Sequence, residues 1–338
     1  MFVDWIYIYI FQQSTVPSST SYPVLVYFHG GEFKYGGKDM FKPDYLFDVA
    51  MRSSQRLVVV TVNYRLGTLG FLSTDDINQP GNNGIRDQIL ALQWINENIQ
   101  RFNGNPSQVT IMGHDAGGVA VGMHVLNNYV SRFFRAAISI SGTVFSPWAF
   151  QQAPIQQARD FGSNFNCPYQ TDQLVNCLRY SSVDQMIQIV KNSENLNTNR
   201  QPYWFRPVVD KNVTSSAILE RDPADLYQNG ILNRVPYLVA ATENEGTLEY
   251  YLRYNQVDQL VEIGSKIAYL IRPYINAYTD EDVIASALQY QYFDRTQRTS
   301  SVLFKEITFA SDKLSKTYIN KNNSREVAEY SNQLLSQV

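Results

Sequence analysis

Histidine and cysteine are scarce in this chain: three histidines and two cysteines stand among 338 residues. The histidines are His29, His114 and His124, so a reaction that calls on an imidazole late in the chain finds none there. Two cysteines, Cys167 and Cys177, allow one disulfide and no more. Basic residues are not in excess, with 28 Lys and Arg against 31 Asp and Glu and a net charge of −3, which argues against nucleic acid as a partner. No apolar run is long enough to span a bilayer. The start, Met1-Phe2-Val3-Asp4-Trp5, has no basic segment and no cleavage site, so it does not read as a signal peptide. Its alternating Ile6, Ile8 and Ile10 predict a strand instead. No Gly/Ser/Pro linker, charge run or repeat divides the chain, and residues 1–338 read as a single domain. No cofactor and no metal site is expected.

What is present suits a large core: 44% of residues are apolar and 13% aromatic, including 23 tyrosines. Tyrosine in that number suits a protein-binding face as well as core and edge strands. Ser107 to Met112 predicts a β-branched strand, and Val119 to Leu126 an apolar helix. Between them lies Gly113-His114-Asp115-Ala116-Gly117-Gly118. Strand, tight turn and helix make the setting of a hydrolase nucleophile elbow, in which small residues flank one residue held in a strained conformation. At that position stands Asp115, not serine. Aspartate is among the few residues that tolerate positive φ, so the turn can fold while its chemistry is lost. Upstream, the apolar run Tyr22 to Phe28 predicts a strand that ends in His29-Gly30-Gly31-Glu32-Phe33. That is either an ordinary turn or an oxyanion loop. In the second case the amides of Gly30, Gly31 and Ala116 would face a developing negative charge.

The stretch between these two pieces carries more. Val62-Asn63-Tyr64-Arg65-Leu66-Gly67-Thr68-Leu69-Gly70-Phe71-Leu72, Pro80-Gly81-Asn82-Asn83-Gly84-Ile85-Arg86-Asp87-Gln88, Ala91 to Ile99 and Phe102-Asn103-Gly104-Asn105-Pro106 closely resemble the type-B carboxylesterase/cholinesterase family. Clear motifs cover residues 4 to 255, and residues 256 to 338 fit by general character. The resemblance implies an α/β-hydrolase fold: a mostly parallel, doubly wound central sheet flanked by helices. It begins inside the family's early strands and stops before its last ones, so the fold is expected to be truncated at both ends, as in a partial domain. Ile85, Ile89, Leu92, Ile95 and Ile99 also fall at helical spacing and should bury against the sheet.

The resemblance also implies site residues. The family's acid follows a later strand, and Val235 to Ala240 leads into Asn244-Glu245-Gly246, which places Glu245 at the acid position. The catalytic histidine should come last, and no histidine follows Glu245. His29 is expected to shape the oxyanion loop, while His114 and His124 remain open as stand-in bases. Cys167 and Cys177 match a recurring family disulfide, the other reading being two unpaired thiols. Trp5 stands where members carry a further cysteine.

Two of three triad members are thus missing, and loss of nucleophile or base alone costs on the order of 10⁶ in kcat in a triad that acts as a unit. A carboxylate at the elbow would further repel a substrate oxyanion. The expectation is a non-catalytic extracellular binding or adhesion protein, comparable in this respect to neuroligin-, neurotactin- and glutactin-like relatives. The alternatives are a carboxylic ester hydrolase by family, or an aspartate-nucleophile hydrolase of the haloalkane dehalogenase or epoxide hydrolase kind if a histidine is supplied. Asn212-Val213-Thr214 and Asn322-Asn323-Ser324 are glycosylation sequons. With the disulfide they favour the secretory route and an extracellular protein partner. Oligomeric state is left open.

Overall fold

A computed structural model describes residues 7–12, 21–146, 148–193, 203–212 and 217–242. Backbone proximity divides the chain into two compact units, Met1–Val144 with Trp148–Ala240, and Phe145–Pro147 with Ala241–Val338. The architecture that follows is that of the first. Glu245 and Asn322 lie outside the described residues.

The strands are β1 (Ile8–Gln12), β2 (Tyr22–Phe28), β3 (Val58–Val62), β4 (Gly104–His114), β5 (Ala136–Ile140) and β6 (Tyr237–Ala240). The helices are α1 (Asp44–Arg52), α2 (Gly67–Phe71), α3 (Asn83–Asn98), α4 (Ala116–Val125), α5 (Pro154–Ser163), α6 (Thr171–Arg179), α7 (Val183–Ser193) and α8 (Pro223–Gln228). The strands form one sheet in the order β1-β3-β2-β4-β5-β6. Only β1 runs antiparallel, pairing Ile8 with Val62 through Gln12 with Val58. The other pairs are parallel.

Sequence explains these elements locally. A parallel strand covered on both faces reads as a continuous β-branched run, and β3 is Val-Val-Val-Thr-Val with every residue buried. In α3, Ile85, Ile89, Leu92 and Ile95 are buried at the expected spacing, and buried Ile99 opens the 3₁₀ turn that follows. Helix α4 is buried along its entire length, which suits a helix apolar all round. Its glycines let neighbouring backbone come close: a Cβ on Gly117 would lie 2.0 Å from the Phe28 carbonyl oxygen.

The crossovers fix where a site can form. From β2 the chain passes through α1 to β3 on one side, and from β3 it returns across β2, through α2 and α3, to β4 on the other. From β4 it continues outward through α4 to β5. The connections leaving the neighbours β2 and β4 therefore diverge, which opens a crevice beyond their carboxyl ends. His29-Gly30-Gly31 and Asp115 both sit at that crevice.

The polypeptide after β5 is tied back to this frame. Asn82 donates to the Val208 carbonyl at 2.8 Å and accepts from the Val208 amide at 2.9 Å, mimicking a strand pair with its side chain. The buried Asp210 carboxylate accepts from the amides of Ile218 and Leu219 and from Arg86 of α3 at 3.1 Å. Cys167 and Cys177 are bonded, their Cα atoms 5.7 Å apart, joining the turn after α5 to α6.

Candidate active site at the strand ends

Asp115 occupies the turn between β4 and α4 with φ 54° and ψ −120°, a conformation that L-residues rarely take. The surroundings determine it. Its amide donates to the Ile140 carbonyl at 2.9 Å, and its own carbonyl accepts from Val119 at 3.1 Å as α4 begins. Gly142, beyond β5, presses on the same turn, since a Cβ there would lie 2.1 Å from the Asp115 carbonyl oxygen. The elbow is held on this side by β5 and the residues just after it.

Against it lies the loop after β2. Gly31, Glu32 and Phe33 have φ values of 105°, 53° and 61°. That path turns two successive amides toward one atom: Asp115 Oδ2 accepts from Gly31 at 2.8 Å and from Glu32 at 3.0 Å. Of the three donors expected from sequence, Gly31 bonds to the carboxylate, whereas Gly30 and Ala116 make no hydrogen bond to it among the described residues. Gly30 is there for space, because a Cβ on it would stand 3.0 Å from Asp115 Cβ. Glu32 is the donor that sequence reasoning missed, and no motif would have found it, since the donor is a backbone amide aimed by the loop's own path.

His29 is 1% exposed and shapes the base of this loop. Its Nδ1–H donates to the Gly30 carbonyl at 2.8 Å, its ring stacks on Tyr64 at 4.4 Å, and the Tyr64 hydroxyl donates to the His29 carbonyl at 2.6 Å. Burial pulls the His29 imidazole below its ordinary range, opposed by the Gly30 hydrogen bond. Burial pushes Tyr64 well above the usual tyrosine value and raises Tyr27 as well, and the negative charge of Asp115 adds to both. Each tyrosine stays neutral beside the carboxylate.

His124, on α4, is fully buried, with Nε2 at 2.8 Å from Gln88 Oε1 of α3. Desolvation holds it neutral, with a pKa lowered to about 3. His114 is exposed, one residue before the elbow. Among the described residues no histidine nitrogen bonds to the Asp115 carboxylate, and no group of three or more His, Cys, Asp or Glu is placed to hold a metal. Behind the elbow, Ser139 donates to the Gly118 carbonyl at 2.8 Å, and the Tyr237 hydroxyl lies 2.8 Å from Ser139, so α4, β5 and β6 share one polar seam.

A strained strand–turn–helix facing a glycine-rich anion loop at a sheet switch point is the apparatus of α/β-hydrolases, and the profile of the carboxylesterase family matches residues 4–336. The chain belongs to the carboxylesterase family. Esterase P of Drosophila melanogaster is 34% identical over 233 residues, 68% of this chain and 42% of the fly protein. Bile salt-activated lipase of Rattus norvegicus is 36% identical over 238 residues, 67% of this chain and 37% of the lipase. Liver carboxylesterase 1F of the rat is 31% identical over 294 residues, 85% of this chain and 51% of the rat enzyme. The chain thus spans about half the length of these relatives or less. The carboxylesterase family carries an α/β-hydrolase fold, and the mostly parallel sheet flanked by helices is that fold in this chain.

Proposed function

We propose that this carboxylesterase-family chain does not turn over esters and works as an extracellular binding or adhesion protein. One observation carries the reading: the Asp115 carboxylate accepts the amides of Gly31 and Glu32. Ester hydrolysis requires such donors to be free for the oxyanion of the tetrahedral intermediate. Here they are engaged by a group of the same charge, and the atom that should attack is absent. An arriving oxyanion would have to displace the carboxylate and then lie beside it.

The rest of the proposal follows from sequence. Glu245 holds the acid position, and each of the three histidines of this sequence precedes it. Residues 1–338 form one partial carboxylesterase domain. The disulfide suits an oxidising compartment, and Asn212 and Asn322 are its glycan acceptors. Asn212 is exposed in a turn. No helix among the described residues is long and apolar enough to cross a membrane.

The competing reading, a carboxylic ester hydrolase that attacks through Asp115, is favoured by the intact elbow and by relatives whose names are esterase, lipase and carboxylesterase. A fluorophosphonate probe and a p-nitrophenyl ester separate the two. Neither labelling nor turnover above buffer is the expected result. Labelling would reveal an activated serine, and turnover abolished by Asp115→Ala would establish an aspartate nucleophile; either outcome sinks the non-catalytic reading.

A further inference from the structure

The left-handed run Gly31-Glu32-Phe33 needs something to hold it, because glutamate and phenylalanine adopt such angles only at a cost that surrounding contacts must offset. One side of the loop is secured by the loop itself and by its apolar anchor. The Lys34 and Tyr35 amides return to the Gly31 carbonyl at 2.8 and 3.1 Å, the Phe33 carbonyl accepts from Gly67 at 2.7 Å, and the buried Phe33 ring packs on Phe71 with centroids 4.8 Å apart. On the other side, beyond the ion pair between Lys34 and Glu32 at 3.0 Å, the described residues show one partner for the loop's amides. There the Gly31 and Glu32 amides point together into a concavity of the kind that takes an anion, and what fills it is a carboxylate from 84 residues away in sequence.

We propose that Asp115 is the resident anion of this loop, a clasp that keeps residues 31–33 in their left-handed path and fixes the loop to the elbow. The side chain that stands at the nucleophile position is here a positioning group whose work is structural. Two charge-assisted hydrogen bonds to one oxygen are among the stronger polar contacts a chain can make, and removing their acceptor leaves two amides facing an empty concavity. A small free carboxylate should then take the vacated place. The proposal rests on the same contact as the non-catalytic reading but is scored on loop protection, not on turnover, so either can fail while the other stands.

The test uses the full chain and follows trypsin cleavage after Lys34, which requires local opening of the loop. Asp115→Ala should be cleaved there on the order of tenfold faster than the unsubstituted protein. Sodium acetate should restore protection to that variant along a saturating curve, sodium chloride at equal ionic strength should not, and the unsubstituted protein should respond to neither. Unchanged cleavage in Asp115→Ala, or equal protection by acetate and chloride, overturns the clasp. If the alanine variant does not fold, Asp115→Asn decides: it keeps an accepting oxygen without the charge and should be cleaved several-fold faster, and a rate equal to that of the unsubstituted protein overturns the proposal.

Discussion

Asp115 differs from serine by more than reactivity. A serine hydroxyl at the same backbone position carries no charge, and the carboxylate spans the distance to the Gly31 and Glu32 amides at 2.8 and 3.0 Å. Asp115→Ser therefore frees those two donors for an oxyanion and restores the oxygen nucleophile. It does not supply a base. His29 is tied to the Gly30 carbonyl, and His124 is buried against Gln88. The serine variant is expected to show no ester turnover above background, and appreciable p-nitrophenyl acetate hydrolysis by it would mean that a histidine of this chain reaches the elbow. A serine with no base in reach returns little, because the members of such a site act as a unit.

Between elements, the pairing of α3 with α4 carries a buried titratable group. His124 takes up a proton at about 3 in the folded chain, against 6.5 for the free side chain. Between those values the unfolded chain binds the proton and the folded chain does not. Stability is therefore complete above pH 6.5 and falls as the pH drops toward 3, by up to about 1.4 kcal/mol per pH unit. Replacing His124 with glutamine should flatten the dependence of urea-unfolding free energy on pH between 6 and 4 by nearly one proton; an unchanged slope would mean the imidazole is not desolvated. The amphipathic spacing of α3 was legible in sequence because periodicity registers burial directly. The Gln88 partner of His124 was not, since it depends on how two helices cross.

Over the whole chain, the Cys167–Cys177 bond closes a loop of sequence separation 10. In the chain-entropy picture so short a loop contributes about 3 kcal/mol. The double variant Cys167→Ser, Cys177→Ser should lose about that much in urea unfolding, as should the unsubstituted protein under reductant. Because the bridge is confined to the α5–α6 turn, the trypsin protection of the loop at residues 31–34 should be unaffected. The segment around Val208 and Asp210 is secured to α3 and the residue before it by long-range pairs that no local pattern reveals: Asn82 with Val208, and Arg86 with Asp210.

Sequence by itself determined the family, the strand Tyr22–Phe28, the helix through Ile85 and Leu92, and the elbow around Asp115, because each is written in neighbouring residues as period, turn chemistry or motif. It also determined that the residue at the turn of this elbow is an aspartate. Only the tertiary structure decided what that aspartate does with its charge. The contact from residue 115 to residues 31 and 32 depends on the side-by-side register of β2 and β4, where Phe28 pairs with Gly113, and on a left-handed turn that aims two amides at one oxygen. Register and backbone path are set by packing across the sheet, and packing across the sheet is not a local property of any stretch of chain.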